Sequence, residues 1–201
     1  MKLNKGDVIT FGTYPQDKYG ESVAPIEWDV LEVNGDEALI ISDKILDMVT
    51  YNEEHVDITW ENCTLRKWLN EDFIEKAFTD EEKAKIVPKM HDNPKNKNFP
   101  EIEGGADTLD KVFAFSIDEV KSYFPTKEAR KAKATPYALQ QGVYVYTETG
   151  YSCWWLRTRC FPAGMGGGSR VNVGGTISDL AYDDIRSHRG PRPVMWIKTE
   201  D

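Results

Sequence analysis

Ile26-Glu27-Trp28-Asp29-Val30-Leu31-Glu32-Val33-Asn34-Gly35-Asp36-Glu37-Ala38-Leu39-Ile40-Ile41 is the stretch that decides the fold class. Its first half alternates apolar and polar side chains, the period of a half-buried strand. Ala38–Ile41 is continuously apolar, as in a strand covered on both faces. Asn34-Gly35 lies between the two runs, and both residues tolerate positive φ, so the pair reads as a hairpin turn. Upstream, Val8-Ile9-Thr10-Phe11 alternates as well, which makes the first forty-odd residues sheet.

Downstream the period changes. Leu65, Trp68 and Leu69 share a helical face that Phe73, Ile74 and Phe78 continue. Thr79-Asp80-Glu81-Glu82 is a capping box for a short helix ending near Ile86, and Ser116-Ile117-Asp118-Glu119 opens another through Tyr123, after a strand at Val112–Phe115. Thr135-Pro136 starts a helix that Gly142 ends, with proline where its missing N–H costs nothing. Residues 91–107 lose all pattern and read as a long polar loop, a lid or an insertion. After Gly150 helix signals vanish, and 7 of the 15 glycines fall there. Short strands are expected at Trp154–Arg157, Val171–Val173, Thr176–Ser178 and Pro193–Ile197, with a tight turn at Gly174-Gly175. Strands, then helices, then irregular strand and loop, with no βαβ alternation and no repeat, make an α+β chain forming one domain over residues 1–201.

The charge narrows the partners. The 201 residues include 34 acidic and 25 basic side chains, a net charge of −9, and residues 1–60 hold 13 acidic and 4 basic ones. A sequence pI near 5.0 disfavours nucleic acid, whose phosphates need a basic patch. No apolar run approaches the ~20 residues that span a bilayer, and the N-terminus lacks the apolar stretch of a signal peptide, so a cytoplasmic protein without a membrane span is expected. Cys63, Cys153 and Cys160 form no C-x-x-C pair, and with His55, His91 and His188 they lack metal-ligand spacing. Neither metal nor cofactor is expected; the thiols read as buried or semi-exposed and the histidines as surface residues. Asp179, Asp183 and Asp184 carry oxygens suited to calcium, but no loop motif organises them. Gly150-Tyr151-Ser152-Cys153-Trp154 misses the second glycine of a nucleophile elbow. Gly164-Met165-Gly166-Gly167-Gly168-Ser169-Arg170 lacks the Gly-Lys ending of a phosphate loop and reads as a flexible surface loop. Trp28, Trp60, Trp68 and Trp196 sit in apolar patterns and are core. Trp154 and Trp155 point to opposite faces of a strand, and both are expected to be buried between sheet and helix layers.

Several stretches carry a resemblance: Pro25-Ile26-Glu27-Trp28-x-Val30-Leu31, Tyr51-Asn52-Glu53-Glu54, Trp60-Glu61-x-Cys63-Thr64-Leu65-Arg66-Lys67-Trp68-Leu69-Asn70, Phe113-x-Phe115-Ser116-x-Asp118-Glu119, Thr135-Pro136-Tyr137-Ala138, Cys153-Trp154-Trp155-Leu156-Arg157 and Gly190-x-Arg192-Pro193. In this order, over nearly the whole chain, they resemble a bacterial family of domains of unknown function with W-W-L-R and a loop-rich tail ending in G-[VP]-R-P. That family resembles C-type-lectin-like domains, as do the formylglycine-generating enzymes and the variable receptors diversified by retroelements. The chain departs at Thr158-Arg159-Cys160-Phe161-Pro162, where such domains read S-P-G, and at Pro191, where they have valine. The resemblance implies a C-type-lectin-like fold and places the site in the loops between Arg157 and His188.

That segment supplies Arg157, Arg159, Arg170, Asn172, Asp179, Tyr182, Asp183, Asp184, Arg186 and His188, a set suited to adaptable hydrogen bonding around an aromatic anchor. The expected function is non-enzymatic recognition of a protein or glycan through these residues. The alternatives are an oxidoreductase related to formylglycine generation, with copper on Cys153 and Cys160, and a structural module of a phage or cell-surface assembly. The same segment also reads as no more than the loop-rich, soluble end of the sheet.

Overall fold

The computed structural model of the chain describes residues 3–180 and 188–199. It has the α+β class expected, with a main sheet built from both ends of the chain. Strand β1 (Val8–Pro15), β2 (Val23–Asn34) and β3 (Glu37–Ser42) form an antiparallel meander. The hairpin turn is Gly35-Asp36, because Asn34 already pairs with Glu37, and Gly35 takes φ +63. At the irregularity of β1, Gly12 (φ +67) passes close to Phe78, where a Cβ would stand 2.4 Å from the ring.

The helical region that follows is α1 (Thr64–Trp68), a π-turn over Leu69–Phe73, and α2 (Ile74–Ala77). The extra residue of the π-turn lets Leu65, Leu69, Phe73 and Ile74 all face the core. Helix α3 (Asp80–Lys83) starts at the Thr79 capping box but stops short of Ile86. Ile86 and Val87 form β4 instead, paired with Ile197 and Trp196, so sheet pairing takes the residue that helical periodicity claimed. Strand β5 (Lys89–His91) pairs with β6 (Thr108–Asp110), and this ribbon is the neck of the polar loop. Next come β7 (Val112–Phe113), α4 (Ile117–Tyr123) behind its capping box at Ser116, α5 (Lys127–Arg130), and α6 (Pro136–Gln141), which Gly142 ends at φ +117. Strands β8 (Val145–Tyr146) and β9 (Tyr151–Ser152) form a small hairpin.

The C-terminal third is less irregular than expected. Strand β10 (Trp154–Arg159), β11 (Gly168–Val171) and β12 (Ile177–Ser178) make a second antiparallel sheet. The glycine run is therefore not a flexible surface loop: Gly166, Gly167 and Gly168 are buried. A Cβ at Gly168 would stand 2.3 Å from the Tyr51 ring, so glycine is what lets β11 lie against that tyrosine. The strand expected at Val171–Val173 is shifted back accordingly, and Asn172 begins a turn in which the Gly175 amide donates to the Asn172 carbonyl (2.7 Å).

Strand β13 (Val194–Lys198) returns to the main sheet between β3 on one side and both β4 and β7 on the other. The motif residues before it lock the two sheets together. Trp154 and Trp155 are both fully buried, and their indole N–H groups donate to the carbonyls of Arg130 (3.0 Å) and Val49 (2.8 Å). The Trp155 amide donates to the Gly190 carbonyl (3.2 Å). Arg192 stacks over Trp154 (5.4 Å) and Phe124 (5.3 Å), donates to the Ser42 carbonyl (2.7 Å), and reaches Asp29 (3.3 Å). Burial pushes its guanidinium down to about 10, partly offset by Asp29 and Asp43. Among the described residues no helix is long and apolar enough to cross a membrane.

Candidate functional site

Of the ten residues expected to form a site, the six that are described fall into three groups. Arg157 and Arg159 lie on β10, with side chains 2% and 5% exposed. Both Nη atoms of Arg157 bind the Glu119 carboxylate; they also donate to the Ala114 (3.1 Å) and Asp92 (3.4 Å) carbonyls. Arg159 binds Asp57 and donates to the Glu103 carbonyl (2.6 Å). Arg170, Asn172 and Asp179 form the second group. Arg170 Nε donates to Asn172 Oδ1 (3.0 Å) and Nη1 to the Leu180 carbonyl (2.6 Å), while Asp179 accepts from Asn98 Nδ2 (2.8 Å). His188 stands apart and exposed; its Nδ1 lies 2.8 Å from the Gly142 carbonyl, and its own carbonyl accepts from the Tyr144 amide. Tyr182, Asp183, Asp184 and Arg186 lie outside the described residues.

What brings the first two groups together is the polar loop. Residues 92–107 fold as a strap across the second sheet. Asn96, 2% exposed, donates to the Arg159 carbonyl (2.9 Å); Asn98 reaches Asp179; the Phe99 ring stacks on Phe161 (4.7 Å between centroids, 15° between planes). Lys97 pairs with Asp118 (2.6 Å) and Lys95 with Glu103 (2.6 Å). Between strap and α4 runs a narrow cleft of about 40 Å³, lined among others by Lys95, Asn98, Ser116, Lys121 and Thr158.

The electrostatics are those of a fixed floor. Burial raises the Glu119 carboxyl, but the charge and hydrogen bonds of Arg157 outweigh it and hold it below its ordinary value. His91, at the neck of the strap, is buried rather than on the surface, with its ring 3.9 Å from that of Phe113. Burial and the Arg157 charge depress its pKa, against Glu119, Asp110 and Asp92. The guanidiniums of Arg157 and Arg159 thus have internal partners, and the surface over them is made by the strap. Sequence reasoning missed Asn96, Asn98, Phe99 and Phe161. The one signal was an aromatic residue, Phe99, isolated in a polar loop.

The W-W-L-R strand, the strap and the G-x-R-P joint that closes on Trp154 and Trp155 all lie within one family match, residues 35–199, to a domain of unknown function, DUF6273. The chain belongs to this family. No curated protein and no solved structure matches it. The DUF6273 match begins at Gly35 in the hairpin turn, so β1 and all of β2 precede it, although both belong to the sheet that β13 completes. Within the DUF6273 span Cys153 precedes β10 and Cys160 follows it, and Cys160 and Cys63 are buried. Seven residues of extended chain, at about 3.3 Å each, separate the first two. Among the described residues no group of three His, Cys, Asp or Glu side chains is arranged to hold a metal ion.

Proposed function

We propose that this DUF6273 chain is a non-enzymatic recognition domain of C-type-lectin-like fold, one domain over residues 1–201, that binds a protein or glycan through its C-terminal loops and the strap beside them. The observation that carries this reading is the Phe99–Phe161 stack. Phe161 is 39% exposed, follows the buried Arg159 by two residues, and its amide donates to the Asp179 carbonyl (2.8 Å), while the Asp179 carboxylate holds Asn98. An open aromatic face next to an amide and a carboxylate suits either a sugar ring or an apolar side chain rimmed by hydrogen bonds. In this reading Arg157, Arg159 and Arg170 shape the loops from below, and Asn172 and Asp179 belong to the binding face. Two features support the fold assignment: β13 pairs into the N-terminal sheet, and the strap lies over a separate loop-rich sheet.

A glycan array and a lysate pull-down with the parent and Phe161→Ala test it. The variant should lose roughly tenfold or more in binding while its melting temperature falls by only a few degrees, since one exposed ring stack contributes about 1 kcal/mol. Equal binding by parent and variant would remove the aromatic face from the site. Silence of the parent in both assays would favour the structural module of a phage or surface assembly.

A further inference from the structure

A second cleft, of about 530 Å³, lies away from the strap, between the segment after β3 and the face of α1 and its π-turn. Asp47, Met48, Val49, Thr50, Glu53, Thr64, Lys67, Trp68 and Asp72 line it, and none of these belongs to the recognition face above. We propose that this cleft docks a lysine or arginine side chain presented by a basic segment of a partner protein.

Four observations converge on that occupant. Asp47 is a half-buried carboxylate with no cation within ion-pair distance among the described residues; it accepts only the Tyr14 hydroxyl (2.5 Å) and the Met48 amide (2.8 Å). Burial raises its pKa, and these hydrogen bonds and the more distant charge of Lys76, which lies over the Tyr14 ring (4.6 Å), lower it only in part, so an incoming ammonium or guanidinium would supply the contacting charge that Lys76 does not. Trp68 is half-buried and stacked on one side by Phe73 (5.3 Å), which holds an indole at the cleft wall where a cation gains from its quadrupole. Met48 and Val49 offer an apolar strip for the methylene stem of a long basic side chain. Asp47, Glu53 and Asp72 oppose the single lining cation, Lys67, so the cleft is complementary to a positive guest.

The local backbone is built to hold this arrangement. Asn52 Oδ1 accepts from the Thr64 amide (3.3 Å) and hydroxyl (3.2 Å), and Thr64 Oγ1 accepts from the Glu53 amide (3.2 Å), which pins the Glu53 wall to the start of α1. The π-turn begins immediately after Trp68 and contains Asp72, and such turns interrupt helices most often at functional sites.

The test uses the full chain and a capped peptide of alternating glycine and lysine, with the same peptide carrying glutamine for lysine as its neutral control. Binding is followed by the Trp68 indole N–H resonance, assigned with Trp68→Leu, and by fluorescence anisotropy of the peptide. The lysine peptide should shift that resonance and the glutamine peptide should not. Asp47→Asn keeps one acceptor oxygen for the Tyr14 hydroxyl or the Met48 amide, so it should weaken binding roughly tenfold while the protein stays folded with a melting temperature lower by only a few degrees; Glu81→Gln, the same charge change on an exposed helix elsewhere, should leave binding within about twofold. Trp68 also packs on Phe73, so Asp72→Asn at an exposed position carries the test should Trp68→Leu unfold. Equal losses in Asp47→Asn and Glu81→Gln would reduce the effect to net charge and overturn the proposal, as would failure of the lysine peptide to bind. Tighter binding of spermine than of the peptide in the same cleft would make the ligand a free polyamine and overturn protein docking. Phe161→Ala leaves this binding unchanged, so the two sites stand or fall separately.

Discussion

A methyl group at Gly168 would stand 2.3 Å from the Tyr51 ring and 2.7 Å from the Leu156 carbonyl, whereas at Gly164 it would meet nothing within 4 Å. Gly168→Ala should therefore cost about 1–3 kcal/mol through overpacking, and Gly164→Ala should stay within about 0.5 kcal/mol. Thermal unfolding of the pair checks this, and equal stability would show that Tyr51 can yield. His91 makes a prediction in pH. Its folded pKa lies below the ordinary 6.5, so the unfolded chain binds more protons once pH falls past that value. Stability is full above 6.5 and is lost as pH falls from there toward the folded pKa. Glu119, held below 4.5, adds a second loss at lower pH, because its contribution is present above 4.5 and disappears as pH falls through its folded pKa. His91→Gln cannot titrate, so its urea midpoint should be flatter than the parent's between about pH 7.5 and about pH 5. Parallel curves for the two proteins would sink this account.

The strap behaves as an element although it has no regular structure. Asn96 anchors it at the Arg159 carbonyl, and Asn96→Ala should cost about 1–2 kcal/mol and open residues 92–107 to protease before β13 loses its amide protection. Simultaneous loss at both places would mean the strap is part of the cooperative core. Such an element is invisible to pattern reading, because its hydrogen bonds go to residues far along the chain: Asn96 to Arg159, Asn98 to Asp179. What is legible is local. The capping boxes at Thr79 and Ser116, the proline start at Pro136 and the β2–β3 hairpin each rest on neighbours within a few positions, and each stands in the structure, the hairpin with its turn one residue later at Gly35-Asp36. The arginines show the other side. Composition reads them as exposed and ligand-facing, but the partners that bury them, Glu119 for Arg157 and Asp57 for Arg159, are 38 and 102 residues away. The helix expected to reach Ile86 failed for the same reason, since only β13 reveals that Ile86 is wanted by the sheet.

At the scale of the whole molecule the decisive element is β13. It contributes the lane between β3 and the β4–β7 edge, and the joint before it, Gly190 and Arg192, ties that lane to Trp155 and Trp154. Removing residues 190–199 should abolish cooperative thermal unfolding and the near-ultraviolet signal of the buried tryptophans, since β3 would then expose Leu39 and Ile41 along an unpaired edge. A truncated chain that still melts in one sharp step would show the rest to be self-sufficient. The same placement bears on synthesis. Until residues 194–198 have cleared the ribosomal exit tunnel, the nascent chain holds a β-meander and a set of capped helices with an empty slot between them. The aromatic residues destined for the core wait in water for that strand. Assembly of the main sheet therefore waits on β13, and a ribosome stalled before that strand emerges would leave a sticky intermediate for chaperones to shield.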